Sequence, residues 1–353
     1  MVPSVRELAD QYDLSINVVR DVLQNLMDEG LLYTVPRQGT FVGYRQSSSA
    51  VYLACSPYWY LASSPPWDIV YKKDIQNGFE ERIANLGGTS LVITLDDLLA
   101  SEQRGEALRV VGIFNFDEGI ENEAVWRANP TVPRVVFSHR TSNVAQADSI
   151  SFADEDGGRQ ATHHLLQLGH RRIAFLGFHQ PGQIHSVFAW SAEREIGWRQ
   201  TMGGAGFSTE GLAFHPAIDL DMDMNKQSEI ARVAARRLIA HSDITAVVAA
   251  NDNAAMGLFE ALRDVEMPIE RWPAVVGFDN LPHLKRRVVT SLRLPWEEVG
   301  RTAADLLWER HQGRLTGPPV HRQVPLRLLS RLTSRSGWPA MAGMAALVAP
   351  TAD

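Results

Sequence analysis

Residues 154–177 read DEDGGRQATHHLLQLGHRRIAFLG. This stretch predicts a helix over 157–168, a glycine stop at Gly169 and a buried strand over 172–177. Working outward, the same alternation recurs on both sides. Strands are expected at 51–55, 89–95, 110–114, 133–137, 245–249 and 274–278, and helices over 68–86, 193–205 and 253–264. Short apolar strands alternating with helices imply parallel sheets covered on both faces, an α/β architecture.

The first residues follow another pattern. Ser4 and Glu7 have the spacing of a capping box, in which each side chain takes the other's backbone N–H. Leu8, Ala9 and Tyr12 give the helix after it one apolar face, and Asp13-Leu14 makes a turn. Ser15 can cap a second helix that carries Val18, Val19, Val22, Leu23, Leu26 and Met27 at helical spacing, with Gly30 as its stop. A strand at 31–35, a turn at 36–39 and a returning strand at 40–42 complete most of a winged helix-turn-helix. Residues 1–46 hold four arginines against six carboxylates, so a DNA-binding reading rests on pattern and not on charge.

Composition narrows the classes. At roughly 150 residues per domain, a chain of 353 residues is expected to hold two or three domains. A net charge of −7 argues against a non-specific nucleic-acid coater. No run of 18 apolar residues occurs, so no membrane partner is expected. The opening MVPSVRELAD has no basic segment followed by an apolar one, and the lone Cys55 suits a reducing compartment, so the expected location is the cytoplasm. His163, His164 and His170 read as structural, because adjacent helical histidines point apart and His170 follows a glycine stop. No phosphate loop, nucleophile elbow or zinc spacing is present, so neither cofactor nor metal is expected.

Two resemblances follow. Residues 2–43 resemble the head of GntR-family regulators, through Pro3–Ala9, Leu14-Ser15 with Val19-Arg20, Glu29–Leu32 and Gly39–Val42. Residues 51–335 resemble the sensor of LacI/GalR regulators, itself similar to periplasmic sugar-binding proteins. The carrying blocks are Asp154–Gly158, His164–Ala174, Arg194–Trp198, Ala249–Asp252 with Ala255–Gly257, Val275–Asn280 and Thr290–Pro295. The resemblance implies a winged head at 1–43, a linker at 44–50, a two-lobed effector-binding domain with parallel sheets at 51–335 and a loosely ordered tail at 336–353. A GntR-type head on a LacI-type sensor looks like the architecture of arabinose-responsive repressors.

For the head, the resemblance implies a double-stranded operator DNA partner. It puts Arg6 on the phosphate backbone, Ser15, Asn17 and Arg20 at the major groove, and the wing tip Arg37-Gln38-Gly39 at the minor groove. The alternative is an ordinary solvated surface. Two departures stand out. Ile16 occupies a position where many family members carry a base-contacting arginine. The family also has a helix before the Pro-Ser block, which this sequence lacks, so Leu8, Val19 and Leu23 are expected to want a cover. Either the start lies further upstream or the head is short.

For the sensor, the resemblance puts a small sugar-like effector between the lobes, contacted by Arg194, Asn251 and Asp279. Tyr58 and Trp59 offer rings for stacking, and Ser138 or His139 falls at another polar contact, the choice open by one residue. Asp252 reads as a helix N-cap, and Asp154 with Asp156 as a cap before Gly157. The implied protein is a homodimeric repressor, not an enzyme, that releases DNA on effector binding, although the residues do not fix the sign. The rivals are a sugar-binding protein serving transport, opposed by the 2–43 blocks, and a sugar-acting α/β enzyme, for which no acid–base pair is found.

Overall fold

The structure is a computed structural model that describes residues 2–28, 32–35, 39–42, 50–55, 66–94, 112–116, 132–137, 147–178, 188–216, 226–241, 243–281 and 289–334. At the N-terminal end, Ser4 Oγ accepts from the Glu7 N–H at 3.3 Å while the Glu7 carboxylate accepts from the Ser4 N–H at 2.6 Å. This capping box starts helix α1 (Val5–Tyr12), which stops at Asp13 in a left-handed conformation. Ser15 Oγ accepts from the Val18 N–H and starts α2 (Ile16–Asp28). Strands β1 (Leu32–Val35) and β2 (Gly39–Val42) pair antiparallel as the wing, and the Val2 N–H donates to the Thr40 carbonyl.

Ala9, Val19, Leu23 and Leu32 form the core of this head, with Val2, Val5, Leu8, Leu26 and Met27 packed around them. That corrects one expectation. Val19 and Leu23 are not bare, because α1, the Val2 segment and β1 close over them. The apolar side chains left open are instead Tyr12, Leu14, Ile16, Val18 and Val22.

The rest of the described chain forms two six-stranded sheets. The first holds β3 (Ala50–Cys55), β4 (Thr89–Thr94), β5 (Ile113–Phe116), β6 (Arg134–Phe137), β7 (Asp148–Phe152) and β13 (His321–Val324), all parallel, in the order β13-β7-β6-β5-β3-β4. The second holds β8 (Ile173–Leu176), β9 (Ala213–Phe214), β10 (Ala246–Ala249), β11 (Ala274–Phe278), β12 (Thr290–Arg293) and β14 (Arg327–Leu329), in the order β14-β12-β11-β10-β8-β9. Only β14 runs antiparallel there. Core strands such as β6, β8, β10 and β11 are buried residue by residue, as a sheet covered on both faces requires.

Helices α3 (Pro66–Asn85) and α8 (Trp296–His311) pack in the first lobe, and α4 (Asp154–Gln167), α5 (Ala189–Gly204), α6 (Gln227–Leu238) and α7 (Asp252–Asp264) in the second. Each lobe contains a helix pair that crosses on reciprocal glycines. A Cβ on Gly78 would overlap the Glu297 carbonyl, and one on Gly300 the Ile75 carbonyl. Likewise Gly158 lies against the Arg194 carbonyl and Gly197 against that of Glu155, so α5 is held tightly on α4.

The chain passes between the lobes three times: from β7 into α4, from β12 into α8, and from β13 into β14. Each passage leaves the C-terminal end of a strand. The lobes therefore meet where those ends lie, which is where open parallel sheets place ligand sites.

Candidate functional site

Several buried polar residues of the second lobe lie at these strand ends. Asp154 directly follows the first passage, Asn251 follows β10, and Asp279 follows β11. Arg194 projects from α5 and is only 2% exposed. Its Nε and one terminal nitrogen both donate to Asp154 Oδ1 at 2.7 Å, and the other terminal nitrogen donates to the Ala250 carbonyl at 2.6 Å. That same nitrogen lies 3.8 Å from Asp279 Oδ1. The guanidinium carbon sits 4.2 Å from the centre of the Phe278 ring and 4.8 Å from that of Trp190, an arrangement favourable to a desolvated cation.

Arg194 is thus held by a carboxylate that sequence reading assigned elsewhere. Helix α4 has its N-cap at Ala153, which makes no side-chain cap, and Asp154 is the arginine's partner instead. Its second oxygen, Oδ2, is buried and has no hydrogen-bond partner among the described residues. Burial pushes the Asp154 carboxyl up, against the pull of Arg194.

Asp279 is a quarter open, and burial pushes it up to about 6. Its backbone has φ 89°, and Asn280 beside it has φ 55°, both in the left-handed region where non-glycine residues are strained. The turn is held by several buried bonds. The Asp279 N–H donates to the Leu292 carbonyl, and the Asn280 N–H donates to Ser291 Oγ at 3.1 Å. The Leu281 N–H donates to Asp252 Oδ2 at 3.0 Å, and the Ser291 hydroxyl donates to Asp252 Oδ1 at 2.9 Å. Arg331, just past β14, donates to Asn280 Oδ1 at 2.6 Å.

Asp252 is therefore a brace and not the N-cap that the sequence suggested. Burial, then repulsion from Asp279, pushes its carboxyl up to about 8. The cap is Asn251, whose Oδ1 accepts from the Ala254 N–H at 2.9 Å while its amide donates to Gln227 at 2.6 Å. Arg194 and Asp279 thus come together, whereas Asn251 has both polar ends engaged within the lobe.

On the other side of the passages, Trp296 at the start of α8 stacks on Tyr71 with ring centres 4.5 Å apart, and meets Phe152 at 4.7 Å and Phe137 at 5.7 Å. Sequence reading did not single out Trp296 or Tyr71. Tyr58, Trp59, Ser138 and His139 lie outside the described residues. So do Arg37 and Gln38, the linker up to residue 49 and the tail from 336. His164 and His170 bond Ser334 and Thr245 respectively, side chain to side chain.

In the head, Arg6, Asn17 and Arg20 are exposed, Ser15 caps α2, and Gly39 opens β2 opposite Val35. Among the described residues no helix is long and apolar enough to cross a membrane.

Comparison with known proteins gives residues 1–42 a match to the bacterial regulatory proteins of the gntR family, and residues 162–334 a match to the periplasmic binding protein-like domain. The arabinose metabolism transcriptional repressor of Geobacillus stearothermophilus is 27% identical over 320 residues, covering 87% of this chain and 84% of that protein. The HTH-type transcriptional repressor PurR of Vibrio cholerae serotype O1 (strain M66-2) is 31% identical over 186 residues, covering 52% of this chain and 51% of its own length. A solved complex of the transcriptional regulator CelR with cellobiose shares the fold, with a TM-score of 0.57 and 20% identity over 94% of this chain and 99% of that one.

Proposed function

Given a chain whose head is of the GntR family and whose two lobes are of the LacI/GalR sensor type, we propose that it represses transcription until a small, sugar-like effector binds between the lobes. The observation that carries this reading is the meeting of Arg194 and Asp279 at the strand ends where the chain passes between lobes. Polyols need several directional hydrogen bonds, and a charged pair on a strained, well-braced turn supplies them in fixed positions. Trp296, which follows the passage out of β12, and Tyr71 add aromatic surface in the first lobe. The separate wing sheet supports placing the DNA-binding unit at 1–43, with 44–50 as linker, 51–335 as sensor and 336–353 as tail.

Arg6, Ser15, Asn17, Arg20 and the wing around Arg37, Gln38 and Gly39 are the DNA contacts in this reading. Two copies of the chain place two heads on half-sites about one helical turn, roughly 34 Å, apart. Effector binding changes operator affinity only through its different affinity for the two lobe arrangements. A cytoplasmic location goes with an operator partner. The relatives' names as transcription repressors favour a sensor over an enzyme.

A thermal-shift screen of the full chain against pentoses, hexoses, uronates and nucleosides tests the proposal. A hit should lower operator affinity in an electrophoretic shift. Asp279→Ala should lose the thermal response while still shifting the operator. A hit unaffected by Asp279→Ala, or one that leaves operator binding unchanged, would falsify the reading.

A further inference from the structure

The effector site has an unusual balance of donors and acceptors. A guanidinium offers five N–H groups, and three of those on Arg194 already point to Asp154 and the Ala250 carbonyl. The Nε edge, where a ligand carboxylate would dock in a two-point fork, is held by Asp154 Oδ1. Among the described residues, Asp154 and Asp279 form ion pairs with Arg194 alone. Among the described residues one cation therefore faces two carboxylates, and the second oxygen of Asp154 is buried without a donor.

We propose that Asp154 sets the charge class of the effector: by closing the Arg194 fork it leaves an acceptor-rich wall that takes hydroxyl donors and refuses sugar acids. This rests on reading the site as the effector site. A hydroxyl donates a hydrogen bond to the quarter-open Asp279 carboxylate and needs no free edge on Arg194. A ligand carboxylate brings no proton, finds the Nε edge closed, and sets a third negative charge beside two others at short range.

Matched pairs with the same stereochemistry test this: galactose against galacturonate and glucose against glucuronate, titrated into the full-length chain at pH 7.5 by calorimetry. In whichever pair binds, the uronate should be at least roughly tenfold weaker than its neutral parent. Asp154→Asn should shrink that gap by about tenfold, because the amide frees the guanidinium for a ligand carboxylate. Should that variant fail to fold, the methyl esters of the two uronates decide on the wild-type chain: with the charge removed, binding should return to within a few-fold of the neutral parent. A wild-type chain that binds a uronate as tightly as its parent, or that refuses the ester as strongly as the uronate, overturns this inference alone. Silence from both pairs and from every sugar of the thermal-shift screen overturns the sugar reading and this inference together.

Discussion

The head closes on Ala9, Val19, Leu23 and Leu32 and leaves Tyr12, Leu14, Ile16, Val18 and Val22 open to solvent. The second lobe buries whole strands, and with them the charged pair Asp154 and Arg194, at 1% and 2% exposure. Buried ions survive only where packing holds a partner in place, because the desolvation cost is large and the compensating geometry strict. The second lobe can hold strain and charge at Asp279 because β10, β11 and β12 fix the frame around it. The head has no such reserve. In the proposed reading, recognition of a small molecule falls to the deeply packed region, and DNA binding to a region whose own core is small.

The largest effect is expected where the deeply packed region is broken. Asp154→Ala leaves the buried Arg194 guanidinium, among the described residues, with the Ala250 carbonyl and the more distant Asp279 carboxylate, and losing one member of a buried pair costs about 3–5 kcal/mol. All nine tryptophans lie beyond residue 58, so a tryptophan-fluorescence melt reports the lobes and not the head. A large drop in the midpoint is expected. An unchanged midpoint would mean that the ion pair is not structural and that the two regions differ less than their packing indicates.

The next effect belongs to the head. Leu23→Ala removes one of its few buried side chains, a change worth about 2–5 kcal/mol in a well-packed core. The head has little stability to lose, so its amides should become unprotected in hydrogen exchange on the full chain while those of β10 and β11 stay protected. Operator binding should fall with head protection. If both regions loosened together, the comparison would have to give way to a single cooperative unit.

The same contrast explains what the sequence disclosed. Strands β8, β10 and β11 announce themselves as apolar runs bounded by glycine or polar residues, and the structure places them within a residue or two of expectation. Helix α6 gave no such signal. Its buried face is mostly alanine (Ala231, Ala234 and Ala235, closed by Leu238), and alanine weighs little in an apolar pattern. Arg194 and Asp279 were legible through resemblance. Asp154 was not, because a carboxylate at the start of a helix reads as a cap and its partner lies 40 residues away. The Tyr71–Trp296 stack is more distant still in sequence and depends on a passage between lobes. The open face of the head was also misplaced, since the pattern shows that Val19 and Val22 are apolar but not which of them the neighbouring elements cover.

A smaller effect sharpens the account of the deeply packed region through pH. A carboxyl whose folded pKa lies above its unfolded value binds protons more tightly in the folded state, so its contribution to stability falls as pH rises between the two. For Asp279 the window runs from about 4 to about 6, and for Asp252 from about 4 to about 8. His164, His170 and His321 are lowered by burial and act in the opposite direction, but below pH 6.5. Between pH 6.5 and 8 Asp252 contributes to the loss, beside Asp154, which burial also raises, and the fluorescence midpoint should fall across that range. Asp252→Asn should flatten the slope, since its Oδ1 can accept from Leu281 while its amide donates to a rotated Ser291 hydroxyl. A slope retained in the variant would place the titrating group elsewhere.

The smallest expected effect returns to the head. Ser4→Ala removes the hydroxyl that accepts the Glu7 N–H, and with it half of the capping box, at a cost of about 1 kcal/mol. In the second lobe a loss of that size would be lost among many contacts. In the head, where α1 contributes only Ala9 to the fully buried set, it should raise exchange at Leu8 and Ala9 and lower operator affinity several-fold, with the fluorescence midpoint unmoved. Ser4→Asp keeps an acceptor at the N-cap and should restore both readouts, although it sets a second carboxylate beside Glu7. Loss of operator binding in Ser4→Ala without any change in exchange would indicate that Ser4 touches DNA directly. The weakness of the head would then have no part in that loss.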